Sequence, residues 1–251
     1  MLRVAPYSQL AATYDRALGI QSFVRTKRAF ELVVKRYRLC FGLAADVGCG
    51  TGLFACYLGR CWGARVFAVD RSREMLRVAA CRCPDPNVQF LRQDLRGLRL
   101  PCAVDLVTAN FDTVNHLLTA ADLGLAFRRI AENLRPGGHF VFDVITRAQS
   151  ATRPVAYVRR LRARGRALFQ RVRWDPGRGL LSILILHRWP QPSPPSVEVH
   201  VERAYSPAEV GRLLLDAGFV IRGVLDAVSL RSPGACPPRL LVVARKGGTA
   251  G

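Results

Sequence analysis

One stretch constrains this chain more than any other: Asp46-Val-Gly-Cys-Gly-Thr-Gly52, preceded by Leu43, Ala44 and Ala45. An apolar run meets three glycines within five positions, and an apolar helical pattern begins at Leu53. That pattern reads as a strand, a tight turn and a helix start. Glycines let the backbone approach a ligand closely, and a helix start presents unpaired N–H groups. A second run, Ala64-Arg-Val-Phe-Ala-Val, ends on Asp70, 24 positions after Asp46. A carboxylate there sits about where a ribose diol needs an acceptor, so the pair indicates an adenosine-containing cofactor. A structural turn without a ligand is the plainer alternative.

The glycine spacing narrows the ligand. A dinucleotide fingerprint requires glycine at its first, third and sixth positions, and Leu53 occupies the sixth. Asp46 stands two residues before the first glycine, where it would repel a pyrophosphate but tolerate an ammonium and a sulfonium. The chain contains no G-x-x-x-x-G-K-[ST] phosphate loop.

Further pieces follow in order: Asp70 with Ser72, Met75 and Leu76; Gln93-Asp94-Leu95; Asp105-Leu-Val-Thr-Ala-Asn110; and Leu134-Arg-Pro-Gly-Gly-His-Phe-Val-Phe-Asp143. With the glycine stretch, they resemble the successive motifs of the class I S-adenosylmethionine-dependent methyltransferases, and the resemblance runs through most of the chain. It implies a Rossmann-like α/β fold: a mostly parallel seven-stranded sheet flanked by helices, with N-terminal helices and a small antiparallel insertion. The implied cofactor is S-adenosyl-L-methionine. Asp70, next to Arg71, would accept both ribose hydroxyls, since an ionised carboxylate offers two oxygens and donates nothing. Asp94 would accept from the adenine amino group, with Met75 and Leu95 against the ring. Gly48, Cys49, Gly50 and Gly52 would make room for the methionine portion, Asp46 would hold its ammonium directly or through water, and Arg71 and Asn110 would complete the cofactor-binding set. Plain helix packing for Met75 and a helix cap for Asp94 are the structural alternatives.

At 251 residues and 50% apolar content, the chain can bury one full core with an appendage. The N-terminus lacks the apolar segment of a signal peptide, and no stretch approaches a membrane span, which predicts a cytoplasmic protein. Eight cysteines form no C-x-x-C pair and the four histidines are scattered, so free thiols and no metal site are expected. The net charge is +20, and lysine occurs only at positions 27, 35 and 246, leaving 35 of the 38 basic residues as arginine. The densest cluster is Arg159, Arg160, Arg162, Arg164 and Arg166. It reads as a solvated face or as a patch for an anionic or RNA partner, though no aromatic interleaving accompanies it.

Three regions are expected. Residues 1–40 read as two helices, the first opening at Tyr7 with a Ser8 cap and the second covering Ile20 to Cys40. Ala11, Tyr14 and Asp15 match an A-x-x-Y-D element that acts as a lid in similar methyltransferases. Residues 41–146 and 205–247 read as the core. Strands are predicted near 43–47, 65–69, 87–91, 104–109 and 138–144, and helices near 52–60, 72–82, 113–119 and 121–134. Ser206-Pro-Ala-Glu209 is a capped helix start, and Leu213 to Phe219 matches an L-x-x-A-G-F end, with closing strands near 219–228 and 239–245. Residues 147–204 read as an antiparallel insertion over the acceptor, with Phe169 to Trp174 and Leu180 to Trp189 flanking the turn Asp175-Pro-Gly-Arg-Gly179. A proline-rich break (190–195) precedes the alternating run Val197-Glu-Val-His-Val-Glu.

Methyl transfer from a sulfonium needs an aligned lone pair and a dry site more than a catalytic triad. Acceptor-side candidates come from Asn110-Phe-Asp-Thr-Val-Asn-His116, which resembles a D-[ST]-x-N-[YH]-L segment rather than the N-P-P-Y signature of enzymes that methylate amides and base amines. Asp112 or His116 would orient or deprotonate an amine or hydroxyl, and Tyr14 would reach the sulfonium or substrate. His187 and His200 are further candidates on the insertion strands. The expected reaction is methylation at N or O of a small-molecule acceptor. Methylation of tRNA or rRNA and a non-catalytic adenosylmethionine-binding module stand beside it. The oligomeric state is not read from the sequence.

Overall fold

The computed structural model describes residues 1–148, 156–161, 167–188, 194–235 and 237–248. In chain order the elements are β1 (Leu2–Val4), α1 (Ile20–Tyr37), β2 (Leu43–Val47), α2 (Leu53–Trp62), β3 (Arg65–Asp70), α3 (Arg73–Arg82), β4 (Val88–Arg92), β5 (Val104–Ala109), α4 (Ala120–Asn133) and β6 (Leu134–Ile145). There follow β7 (Ala156–Leu161), β8 (Ala167–Asp175), β9 (Leu180–Arg188), β10 (Ser196–Arg203), α5 (Pro207–Asp216), β11 (Phe219–Asp226) and β12 (Arg239–Lys246).

Seven strands form one sheet in the order β11-β12-β6-β5-β2-β3-β4. The five strands from β2 to β6 pair in parallel, and β12 and β11 close the sheet antiparallel. The chain runs outward from β2 through β3 to β4, then returns to the other side of β2 with β5. The order therefore reverses between β2 and β5, and a ligand crevice opens at the carboxyl ends of such strands.

Both faces of this sheet are covered, which explains the near-continuous apolar runs in β2, β3 and β5. On one face α4 lays down Leu123, Ala126, Phe127, Ile130 and Ala131 at helical spacing, after Thr119 caps its start by accepting from the Asp122 N–H. Phe127 meets Phe140 and Phe142 of β6, and each such buried ring contributes about 1.5–3 kcal/mol. On the other face α1 and α2 bury Phe30, Val33, Phe54 and Leu58. Ser206 caps α5 with Pro207 at its first turn, as its sequence predicts.

The first helix is a correction. Residues 6–13 run through turns, followed by a five-residue π turn, Asp15–Gly19, that merges into α1. The cause is long-range: Glu198 accepts the N–H groups of Tyr7, Gln9 and Leu10 at 2.7–2.9 Å, so those donors serve a tertiary contact. The helix expected over 113–119 is a single 3₁₀ turn, Thr113–His116, entered through Phe111 and Asp112 at positive φ.

A second sheet has the order β1-β10-β9-β8-β7. Strands β7 to β10 are antiparallel, and β8 and β9 flank the turn read at 175–179. Strand β1, from the N-terminal segment outside the insertion, adds in parallel to β10 at the edge of this sheet. Trp189, the residues 190–193, Arg162, Arg164, Arg166 and the side chain of Arg159 lie outside the described residues, so most of the expected basic cluster does too. Arg160 is exposed. The free-thiol expectation is corrected for Cys56 on α2 and Cys83 after α3, which form a disulfide with Cα atoms 5.8 Å apart. No described helix is long and apolar enough to cross a membrane.

Asn115 fastens the two sheets together. Its Nδ2 donates to the Ile145 and Arg203 carbonyls at 3.2 and 2.7 Å, and its Oδ1 accepts from the Ile145 N–H at 3.0 Å. Replacing it by Ala removes the side-chain partner of the Ile145 N–H and of the Arg203 carbonyl, while the Ile145 carbonyl keeps the Tyr205 N–H at 3.2 Å. We expect Asn115→Ala to lower unfolding stability by about 2–4 kcal/mol in denaturant titrations.

Candidate functional site

The carboxyl ends of the parallel strands converge on two adjoining cavities. The first, about 300 Å³, is lined by Gly48, Cys49, Gly50, Asp70, Arg71, Met75, Asp94, Leu95 and His116, among others. The second, about 410 Å³, lies under the second sheet and is lined by residues including Asn110, Asp112, Asp143, His200, Glu202 and Arg239. Tyr7, Tyr14 and Phe111 line both and mark their junction.

The first cavity is shaped by the glycine turn. Gly48 has φ +68°, and a Cβ there would sit 2.3–2.9 Å from Thr113, so no other residue fits beneath the β5 loop. A Cβ on Gly50 would meet nothing within 4 Å, which leaves open space over its backbone. Asp70 lies alongside: its Oδ2 accepts the Gly50 N–H at 2.9 Å and its Oδ1 the Ser72 N–H at 2.8 Å. Each oxygen keeps further acceptor capacity for a diol. Burial raises the Asp70 pKa, opposed by those two donors. Burial likewise raises that of the Cys49 thiol. Open backbone at the turn, a carboxylate with spare lone pairs and the apolar Met75 and Leu95 together fit an adenosyl group.

Other expected residues are placed differently. Gly52 does not line the cavity; a Cβ there would lie 2.9 Å from the Ala79 Cβ, so this glycine lets α3 pack against the turn. Asp46 lies beneath the turn, 2% exposed, accepting from Thr108 Oγ1 at 2.7 Å and Asn110 Nδ2 at 3.5 Å. Any hold on a ligand ammonium would therefore pass through Asn110 or water. Burial pushes the Asp46 pKa up to about 7. Asp94 caps the short 3₁₀ turn Leu95–Gly97, and both its oxygens accept from Arg96, at 2.8 and 2.9 Å, which holds its pKa below the usual carboxylate range. The helix-cap alternative for Asp94 thus describes its geometry in this state.

At the junction, Tyr7 Oη and His116 Nε2 lie 2.9 Å apart, and the Tyr7 ring packs edge-on against His200 with centroids 4.5 Å apart. Burial lowers the His116 pKa to about 4, leaving the imidazole neutral at physiological pH. Burial raises the Tyr14 and Tyr7 pKa values, so both keep their protons. Asp112 is not a free base: it and Asp143 both bind Arg239, whose Nη2 is 3.1 Å from Asp112 Oδ2. Asp15, from the lid element, accepts from Thr51 Oγ1 at 2.6 Å and pairs with Arg82, tying the N-terminal segment to the glycine turn.

Sequence reasoning missed Tyr7, Glu202 and Arg239. Glu198, His200 and Glu202 alternate along β10 and are all buried, whereas Val197, Val199 and Val201 are half-buried. The polar side of the alternating run faces inward, and that inversion was the available signal. His187 is also buried beside Glu198, with Nε2 3.5 Å from Glu198 Oε1. Among the described residues, no group of three or more His, Cys, Asp or Glu side chains is poised to hold a metal.

The Asp46 geometry yields a sign. Its folded pKa exceeds the unfolded value of about 3.9, so the folded state holds the extra proton and its stabilising effect is lost as pH rises from about 4 to 7. Without ligand, Asp46→Asn should gain stability relative to the parent across that window, by a few kcal/mol at about 1.4 per unit, and level off above it. Paired denaturant titrations at pH 4.5 and 7.5 measure this.

Residues 44–138 match the family described as "Methyltransferase domain". The chain is 34% identical over 98 residues to a dTDP-3-amino-3,4,6-trideoxy-alpha-D-glucopyranose N,N-dimethyltransferase of Streptomyces venezuelae, covering 39% of this chain and 40% of that protein. It is 35% identical over 117 residues to a trans-aconitate 2-methyltransferase of Afipia carboxidovorans, covering 45% and 43%. The chain thus spans about half or less of the length of these curated relatives. Its structure aligns with an S-adenosylmethionine-dependent methyltransferase of Clostridium acetobutylicum at a TM-score of 0.81 and 22% identity, over 96% of this chain and 99% of that one. Family match, motif order and fold agree: residues 44–138 form a methyltransferase domain, in a chain with the fold of the S-adenosylmethionine-dependent methyltransferases.

Proposed function

We propose that this protein is a soluble, cytoplasmic enzyme that transfers a methyl group from S-adenosyl-L-methionine to N or O of a small-molecule acceptor. The observation that carries this reading is the pair of adjoining cavities that share Tyr7, Tyr14 and Phe111. One wall is the glycine turn with Asp70, and the other is the inward polar face of the second sheet. The donor supplies an activated methyl, whose S–C bond breaks with its electron pair left on sulfur as the acceptor's lone pair forms the new bond.

The residues act mainly by binding, positioning and drying the site. Asp70 would hold the ribose, with Met75 and Leu95 along the adenine and Gly50 leaving its backbone open. Tyr7, Tyr14 and Phe111 place ring faces and edges around the junction, a favourable setting for a cationic group. His116 is neutral and bonded to Tyr7, and burial disfavours its protonated form, so its role is to orient the acceptor rather than to hold a proton. The second sheet and the segment from Tyr7 to Leu10, pinned by Glu198, roof the junction and exclude water.

The relatives support a small-molecule acceptor: their names describe methylation of an amino sugar nucleotide and of an aconitate. The RNA reading rested on charge alone and gains nothing from them. Incubation of cell extract with methyl-labelled donor should put label into the small-molecule fraction, and label confined to RNA would overturn this reading. Tight donor binding with no turnover would instead favour the non-catalytic module.

Asp70→Ala removes two charge-assisted contacts to the ribose. We expect it to weaken adenosylmethionine binding about 100-fold in calorimetry, while unchanged affinity removes the ribose assignment.

A further inference from the structure

The second cavity combines two kinds of lining. Leu10, Leu18, Val172, Ile183, Ile185 and Leu241 give it apolar walls, and charged side chains share the same space. Among the described lining residues, the carboxylates are Asp112, Asp143 and Glu202, and the guanidinium groups are Arg25 and Arg239. Arg239 is already bound by Asp112 and Asp143. The Asp143 Oδ1 is buried without a hydrogen-bond partner among the described residues, so that pair of acids is not fully compensated.

Glu202 is the residue this arrangement leaves unanswered. It is 7% exposed, lines the cavity, and makes no side-chain hydrogen bond among the described residues. Its nearest basic neighbour is His116 Nε2 at 3.9 Å, and that imidazole is neutral. Burial raises the Glu202 pKa, and the facing Asp112 and Asp143 raise it further while Arg239 opposes them. A buried carboxyl without a partner costs stability unless a ligand satisfies it. Because His116 also lines the first cavity, the Glu202 carboxyl stands beside the junction where the two cavities meet.

We propose that the acceptor is an amine carried on a largely apolar body, and that Glu202 is the catalytic residue that receives its ammonium head. The inference rests on the methyltransferase reading and names the acceptor class. The ammonium enters the apolar cavity head first toward the junction and hydrogen-bonds the Glu202 carboxylate. One N–H bond then breaks with its electron pair left on nitrogen, and the proton forms an O–H bond on Glu202. The neutral amine so produced has the lone pair that methylation consumes, and the methylated product leaves as an ammonium. A carboxylate acceptor would meet an end where Asp112, Asp143 and Glu202 outnumber Arg239, which disfavours it. An alcohol gains no charge pairing.

The test uses the full chain with methyl-labelled adenosylmethionine and two matched probe sets: cyclohexylamine, cyclohexanol and cyclohexanecarboxylate, and benzylamine, benzyl alcohol and benzoate. We expect label in the amines, at about tenfold or greater kcat/KM over the alcohols and acids. Glu202→Gln should reduce amine methylation about tenfold or more with adenosylmethionine affinity unchanged, and Glu202→Asp should restore part of it. A thermal-shift series on the unmodified protein saturated with S-adenosylhomocysteine guards against a variant that fails to fold. There the amines should raise Tm and the alcohols should not. Preference for the alcohols or acids, unchanged amine methylation in Glu202→Gln, or no labelled or stabilising amine in a protein that binds adenosylmethionine would each overturn the proposal. Failure to bind adenosylmethionine at all would instead strike the methyltransferase reading beneath it.

Discussion

The Asp70 carboxylate is the hinge of this architecture. It ends β3, yet its two oxygens accept N–H groups from Gly50 and Ser72, one in the turn after β2 and one at the cap of α3. Three chain segments are thus fixed at one point at the carboxyl edge of the sheet. The glycines make this arrangement sterically accessible: Gly48 yields to Thr113 from the neighbouring β5 loop, and Gly52 yields to Ala79 of α3. With the turn locked, backbone rather than side chain faces the first cavity, and Asp70 retains lone pairs directed at whatever occupies it.

The second sheet works by the opposite logic. A sheet that covers a core normally turns its apolar residues inward. β10 turns Glu198, His200 and Glu202 inward, and each has a separate consequence. Glu198 spends its oxygens on the N–H groups of the N-terminal segment and on His200, 3.0 Å away, which fixes Tyr7 over the junction. Glu202 has no such partners. The same strand face therefore closes the roof and leaves one carboxyl directed at the acceptor side.

Much of the core was legible because its signals are local. Continuous apolar runs mark the parallel strands, Ser206 marks the start of α5, and the glycine turn announces itself. What escaped depends on contacts far apart in sequence. The segment at Tyr7 loses helical regularity to a carboxylate 191 residues away, and β1 pairs Leu2 with Ser196. Asp46 reads as a ligand contact in sequence, and its bonds to Thr108 and Asn110 come from a strand and loop more than sixty residues on. Arg239 is the clearest omission: no local pattern marks an arginine at the start of β12 as the counter-ion of Asp112 and Asp143, because only the sheet order brings β12 beside β6.

The central claim is that one continuous site spans the two cavities, anchored at Asp70 and joined at Tyr7, Tyr14 and Phe111. A crystal structure of the complex with S-adenosylhomocysteine tests it most directly. The account predicts ribose hydroxyls on the Asp70 carboxylate and the thioether sulfur facing the tyrosine pair, with the second cavity opening in front of it. A ligand bound elsewhere, with Asp70 still bonded only to Gly50 and Ser72, would contradict it.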